Sequence, residues 1–395
     1  MKLNVAVFFG GKSTEHEISC ISANQALKAL DPEKYEVIPV YISKDNDFYS
    51  GDLLFDLANY GDLDALCGKL EKVSFCKDGN KVYMKPVKSS LFKKNEKTVD
   101  VAFPVVHGTN VEDGSLAGYL EMLGLPFTSC GVLGGAVGQD KAVMKHILSS
   151  EGLPMVEWFA MREDEYRQNK EEYLEKGKAI GFPLICKPAN LGSSIGIEVI
   201  HNEEEFDEKV LECFTYDFKV CVEHMIEDLK EINISVMGSV FDPKTSVIEE
   251  VLKGDELLSF RDKYEGGAKG GKVPAKGPKT AGSKGMASTD RKVPADLTEE
   301  QTELVEKLAV KAFKALESHG VVRIDFMIDR KDEKVYINEI NTIPGSLSFY
   351  LWQPKGIDFT KECDLLIDNA LKRYAQKEKK TYSFETNILS KYGRK

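Results

Sequence analysis

The sequence lacks several signals that would direct the reading elsewhere. No apolar run approaches the roughly 18 residues that cross a bilayer, so no membrane partner is expected. The opening MKLNVAVFFGGKS runs into glycines, not a small-residue cleavage site, and reads as a first β-strand. The eight cysteines (20, 67, 76, 130, 186, 213, 221, 363) include no Cys-x-x-Cys spacing. They read as reduced, mostly buried thiols of a cytoplasmic protein. There is no positive excess: Lys and Arg number 53 against 64 Asp and Glu, a net −11. That argues against a general nucleic-acid binder. Acids are missing locally, between 266 and 285, where seven Gly and five Lys lie. No internal repeat and no Walker A loop is present.

What is there is ordinary in bulk: 395 residues, 42% hydrophobic, enough for two or three domains. LNVAVFF (3–9) and YEVIPVYI (35–42) read as buried strands joined by a helix over 15–30, a βαβ start that predicts a parallel sheet. VDVAFPVVHG (99–108) is a further strand. Helices are predicted at 113–124, closed by Gly124, and at 139–151, starting near Asp140. Segment 182–200 reads strand, Gly/Ser loop, strand; 220–226 and 246–253 are strands, and 231–240 a half-buried one. Residues 266–295 read as loop. A helix over 298–318 opens on the capping box Thr298-Glu-Glu-Gln301. VVRIDFMID (321–329) and KVYINEI (334–340) form a hairpin, and another helix spans 360–376.

Four segments carry chemistry. In the hairpin, Arg323 and Asp325 share one strand face, and Glu339 and Asn341 share one face of the next. Strict alternation sends Asn338 the other way. If the two faces coincide, oxygen ligands converge as Mg²⁺ or Mn²⁺ require; an Arg323–Glu339 surface ion pair is the plainer alternative. In CKPANLGSSIG (186–196) a strand-end lysine precedes a Gly/Ser loop, suited to phosphate but equally to a plain hairpin turn. GGKSTEHEIS (10–19) leads into a helix with Glu15 and Glu17 in its first turn, where acids can simply complement the macrodipole. His107 sits at the carboxyl end of a strand, where open α/β sheets place ligands, or is a satisfied structural histidine.

Together with YLEMLGLPFT, QDKAVMK, VEHMI-x₄-EIN, RDKY and NEINTIPG, these segments resemble the D-alanine–D-alanine ligases of the ATP-grasp superfamily, colinearly from Val5 to about Ala375. The resemblance implies an α/β and α+β chain, an ATP-grasp fold preceded by an N-terminal parallel-sheet domain. The implied divisions are 1–139 (substrate domain), 140–222 (small lid subdomain), 223–376 (catalytic subdomain with a mobile loop 264–295) and 377–395 (basic tail). It implies ATP-dependent joining of two D-alanines through an acyl phosphate, for a peptidoglycan precursor. A ligase taking another second substrate such as D-serine, or a non-catalytic ATP- or metabolite-binding homologue, are the alternatives.

The resemblance also assigns roles. Lys141, Lys187 and Lys263 contact ATP phosphates. Glu223 accepts from the adenine amine, and Glu231 holds the ribose. Asp325, Glu339 and Asn341 bind two Mg²⁺ or Mn²⁺ ions. Glu15 holds the first D-alanine's ammonium, with His107 near its carboxylate. Ser193 and Tyr264 join Glu15 in a hydrogen-bonded triad. Arg323 and the Gly345 N–H face the developing oxyanion. A homodimer through the N-terminal domain is implied. The sequence departs from the family at PGSLSFYLW, where a serine is usual at the position of Tyr350. Ser346, Ser348 or the Tyr350 hydroxyl are then the candidates for the second substrate's carboxylate. Retention of Tyr264 favours an amine over a hydroxy-acid nucleophile.

Overall fold

The computed structural model describes residues 2–88, 96–252 and 291–392. The expected βαβ start forms. β1 (Leu3–Gly10) and β2 (Tyr35–Ile42) pair in parallel from Leu3↔Tyr35 to Gly10↔Ile42, with α1 (His16–Ala29) between them. β7 (Val101–Pro104) pairs in parallel on the other side of β1. β1 is fully buried from Val5 onward, the continuous apolar run of a strand covered on both faces.

The parallel strands β1, β2 and β7 belong to a larger mixed sheet. Its order is β6-β5-β4-β3-β2-β1-β7. β3 (Phe48–Ser50), β4 (Glu71–Asp78), β5 (Lys81–Pro86) and β6 (Lys97–Val99) extend it antiparallel. β4 buries only Val73 and Phe75 among charged neighbours, too sparse an alternation to stand out in the sequence. A short helix α2 (Leu63–Cys67) precedes it. α3 (Ser115–Leu123) ends where predicted, with Gly124 at φ 66° donating its N–H to Glu121 O and Leu120 O. α4 (Val132–Gln139) leads to α5 (Lys141–Ser150), whose N-cap Asp140 accepts from the Ala142 and Val143 N–H groups.

A second sheet, order β10-β9-β11-β8, is antiparallel throughout: β8 (Trp158–Arg162), β9 (Leu184–Pro188), β10 (Glu198–Ile200) and β11 (Lys219–His224). α6 (Glu163–Gln168), α7 (Lys170–Ile180) and α8 (Glu203–Cys213) accompany it; Tyr166, Tyr173, Phe206 and Val210 share its core.

The third sheet, order β14-β13-β12-β15-β16, is also antiparallel: β12 (Leu229–Gly238), β13 (Lys244–Val251), β14 (Arg291–Lys292), β15 (Gly320–Asp329) and β16 (Val335–Asn341). β12 is not half-buried as expected; it is buried without interruption from Ile232 to Gly238. Ile232, Ile234 and Val236 pack with Val305, Ala309 and Phe313 of α9 (Glu299–Ala315). On its other face the Ser235 hydroxyl accepts from Trp352 Nε1 at 3.1 Å and donates to Val322 O. Trp352 closes α10 (Phe349–Trp352). The predicted capping box of α9 forms, Thr298 and Gln301 each serving the other's N–H.

Arg291 and Lys292 are not loop as expected but an edge strand on Val251 and Glu250. The remainder of the predicted loop 264–295, with Lys263 and Tyr264, lies outside the described residues except 291–295. α11 (Phe359–Lys377) joins the core of the first sheet: Cys363, Leu366, Ile367 and Ala370 cluster with Val5, Val7 and Ala23. Asp364 on this helix accepts from Lys34 Nζ at 2.6 Å and Tyr35 Oη at 2.7 Å. All eight cysteines are free, six of them buried. No described helix is long and apolar enough to cross a membrane.

Candidate active site

The three sheets meet at an open cleft of about 1500 Å³, solvent-open space included. The hairpin supplies its floor, and its two chemistry-bearing faces coincide. Arg323 stands opposite Asn341, and Asp325 opposite Glu339. Arg323 grips Asp325 with two hydrogen bonds, 2.6 Å from Nε and 2.7 Å from Nη2. Asn341 Nδ2 donates to Asp325 at 3.2 Å. The surface pair Arg323–Glu339 does not form; Glu339 instead meets Lys141 Nζ at 3.2 Å. Burial, together with the Glu339 and Glu231 charges, outweighs Arg323 and lifts the Asp325 carboxyl to about 6.

Asn338 breaks the expectation of strict alternation. The β15–β16 register shifts between Asp325 and Phe326, so Asp325 faces Glu339 while Phe326 faces Ile337, and Asn338 is the extra residue of a bulge. The bulge brings Asn338 into the cleft wall beside Glu339, and its Oδ1 accepts from Lys187 Nζ at 3.0 Å.

Lysines line the other side. Lys141, the first residue of α5, donates to Leu191 O at 2.7 Å and so links the Gly/Ser loop to Glu339. Lys187, on β9, reaches Glu223 Oε2 at 3.2 Å. Glu223 is buried on β11, and Lys145 Nζ, also buried, lies 3.2 Å from the same oxygen. Burial raises the Glu223 pKa, but the two lysines overcome it and hold the carboxyl below its usual range. Its other oxygen, Oε1, has no hydrogen-bond partner among the described residues. Glu231 lines the cleft from β12.

The helix-start acid Glu15 does not merely complement a dipole. It caps α1 without a side-chain capping bond. Its carboxylate accepts instead from the Ser193 hydroxyl, 178 residues away. Gly108 and Gly192 make room for it: a Cβ on either would come within 2.8 or 2.9 Å of Glu15 Oε2. Two members of the expected triad are thus joined; Tyr264 lies outside the described residues.

The Pro344-Gly345 turn is held from the first domain. Glu112 accepts from the Ile343 N–H at 2.8 Å and from the Thr342 hydroxyl at 3.1 Å. His107 Nδ1 lies 2.8 Å from Ile343 O, and Nε2 lies 3.0 Å from Ser22 Oγ. Ser22 Oγ also accepts the Ser346 N–H at 3.1 Å. The consistent tautomer is neutral: Nδ1–H donates to the carbonyl, and the serine hydroxyl donates to Nε2. Burial lowers the His107 pKa and favours that form. Both ring nitrogens are therefore occupied, although the ring lines the cleft.

Ser346 and Tyr350, the candidates for the second carboxylate, stand behind the side chains that line the cleft. Ser346, Leu347 and Ser348 all have left-handed backbone, φ 51°, 54° and 56°, and the turn buries both serines. Tyr350 donates to Glu249 Oε1 at 2.9 Å and accepts from Arg291. In their place Arg291, Glu249 and Asn233 line the cleft, with Arg291 Nη1 2.9 Å from Glu249 Oε2. None of these three was legible: Arg291 follows the Lys/Gly-rich stretch, and Glu249 and Asn233 read as ordinary strand residues. Lys145 and Glu112 were also missed, though one signal was available for each. Lys145 lies one helical turn from Lys141, and Glu112 lies in HGTNVEDG (107–114), the segment that His107 opens.

A small antiparallel sheet bearing lysines, set across a cleft from a larger one bearing paired acids, defines the ATP-grasp class. Family models described as "D-ala D-ala ligase N-terminus" and "D-ala D-ala ligase C-terminus" match residues 4–130 and 147–368. The D-alanine–D-alanine ligase of Thermosipho melanesiensis is 38% identical over 390 residues, 98% of each chain. Among solved structures, the D-alanine–D-alanine ligase of Coxiella burnetii superposes with TM-score 0.74 at 28% identity, covering 96% of both chains. The D-Ala:D-Ser ligase VanG of Enterococcus faecalis gives 0.75 at 25%, covering 94% of this chain and all of that one. The chain belongs to the D-alanine–D-alanine ligase family.

Proposed function

We propose that this chain joins two D-alanines to D-alanyl-D-alanine at the expense of ATP, supplying a peptidoglycan precursor in the cytoplasm. The observation that carries the reading is the meeting, in one cleft, of Lys141 and Lys187, the Asp325–Glu339 pair, and Arg323 beside Gly345. Among the described residues the cleft holds no activated nucleophile, and none is needed. Activating a carboxylate by phosphoryl transfer is a matter of positioning and charge neutralisation. The second amino acid's amine then displaces phosphate from the acyl phosphate.

The residues fit ATP and its metal. Glu223 Oε1 is a buried acceptor without a partner, placed on the strand beside Ile185 and Lys187 of the cleft wall; it would take the adenine amine, with Glu231 on the ribose. Lys141, Lys187 and Lys263 would hold phosphates. Among the described residues no three His, Cys, Asp or Glu side chains gather as a metal cage. Two carboxylates and the Asn341 amide instead suit two Mg²⁺ or Mn²⁺ ions that also take phosphate oxygens and water. When bound, such ions neutralise phosphate charge. Glu15, fixed by Ser193, would hold the first substrate's ammonium. Arg323 has Nε and Nη2 committed to Asp325, and its Nη1, with the Gly345 N–H, would serve the tetrahedral oxyanion. His107 keeps that turn in place. Among the described residues Arg291 is a cleft cation bonded to Tyr350, and it would join the Tyr350 and Ser346 hydroxyls as a candidate for the second carboxylate. A homodimer through the first domain is part of the proposal, checked by light scattering.

Incubation with ATP, Mg²⁺ and D-alanine should yield phosphate and dipeptide together. A panel of D-amino and D-hydroxy acids should show D-alanine preferred; no dipeptide at saturating D-alanine sinks the proposal. Arg323→Met should cut turnover on the order of 10²–10³-fold while ATP binding persists.

A further inference from the structure

Lys145 is the most completely buried lysine among the described residues, and the reaction as described gives it no task. It sits one turn along α5 from Lys141 and has no exposed surface. It does not line the cleft, whereas Lys187 does. Its Nζ faces the Glu223 carboxylate at 3.2 Å and lies 5.9 Å from the centre of the Trp158 ring. An ammonium so enclosed is costly, and burial lowers its pKa accordingly. A methionine or leucine would fill the same space more cheaply.

The geometry suggests what it does there. Lys145 and Lys187 both approach Oε2 of Glu223, and Oε1 is left buried and unbonded. Lys187 also bonds Asn338 and opens onto the cleft, so bound phosphate competes for it. Lys145 cannot be drawn away. Of the two lysines that reach Glu223 among the described residues, it is the one set back from the cleft. An ionised carboxylate accepts hydrogen bonds and donates none. Held so, it favours a purine carrying a 6-amino group and repels one carrying a 6-keto oxygen.

We propose that Lys145 is a positioning residue for base selection: from outside the cleft it fixes Glu223 as a pure acceptor, and so selects adenine over 6-keto purine nucleotides. This rests on the reading of Glu223 as the adenine contact. The charged groups around Glu223 are Lys145 and Lys141 of α5 and Lys187 of β9, with the neutral Cys221 thiol, pushed up by burial, on its own strand.

The test compares dissociation constants for ATP, purine riboside triphosphate (which lacks the 6-amine) and GTP in the full chain. Wild type, Lys145→Met, Glu223→Met and the double variant are measured. Wild type should prefer ATP over the amine-free analogue by about 10- to 100-fold, and GTP should bind more weakly still. Each single variant should bring the ATP-to-analogue ratio close to one, and the double variant should lose nothing further. A ratio unchanged in Lys145→Met, with all nucleotides weakened alike, would mean a purely structural lysine and overturn the proposal. A wild type indifferent to the amine would instead overturn the Glu223 reading beneath it. If Lys145→Met fails to fold, Lys145→Gln, which keeps a donor and loses the charge, is read by the same ratio.

Discussion

Ser22 shows how far from the chemistry a residue can matter. Its hydroxyl joins the Ser346 N–H to His107, and His107 joins Ile343 O, so one side chain closes a chain of contacts around Gly345. Ser22→Ala should lower kcat about tenfold by letting that amide drift, with the KM for ATP little changed; steady-state kinetics decide it. His107 gives a pH dependence of definite sign. Burial depresses its folded pKa below the ordinary 6.5. Below 6.5 the unfolded chain takes up a proton that the fold refuses. The stabilisation is therefore present above 6.5 and is lost as pH falls through the lowered folded value, by up to about 1.4 kcal/mol per pH unit. Urea unfolding from pH 8 to 5 should show the slope, and His107→Gln should remove that part of it. At this scale the sequence was informative where chemistry repeats at fixed spacing, as at Arg323, Asp325, Glu339 and Asn341. It was silent on Arg291 and Glu249, whose meeting depends on an edge strand after 38 undescribed positions, 253–290.

At the scale of elements, periodicity located the strands that are buried on both faces and the helices with clear caps. It failed where an element departs from its own period. The bulge at Asn338 reverses a side chain that strict alternation sends away, and no local residue announces it. The left-handed turn at Ser346–Ser348 is a second case, since three consecutive non-glycine residues with positive φ contradict local preference. Such backbone costs roughly 1–2 kcal/mol per residue, and Ser348 adds a buried hydroxyl without a partner. Ser348→Gly relieves both and gives back part of the gain as chain entropy. It should raise stability by about 1 kcal/mol, measurable as a shift in the urea midpoint.

At the scale of the whole molecule, α11 ties the end of the third sheet's segment to the core of the first. Ile367 is fully buried there. Ile367→Ala should cost about 2–5 kcal/mol, and the loss should appear in the first sheet's unfolding as well as in the helix, a point hydrogen exchange can resolve. This placement also bears on synthesis. The strands through β7 leave the ribosome long before the helix that covers them. At roughly 5–20 residues per second, the uncovered apolar face around Val5 and Ala23 waits on the order of tens of seconds for its lid. During that interval the nascent chain offers a chaperone a binding site that the finished protein hides, and a chain broken off before Phe359 would keep it exposed.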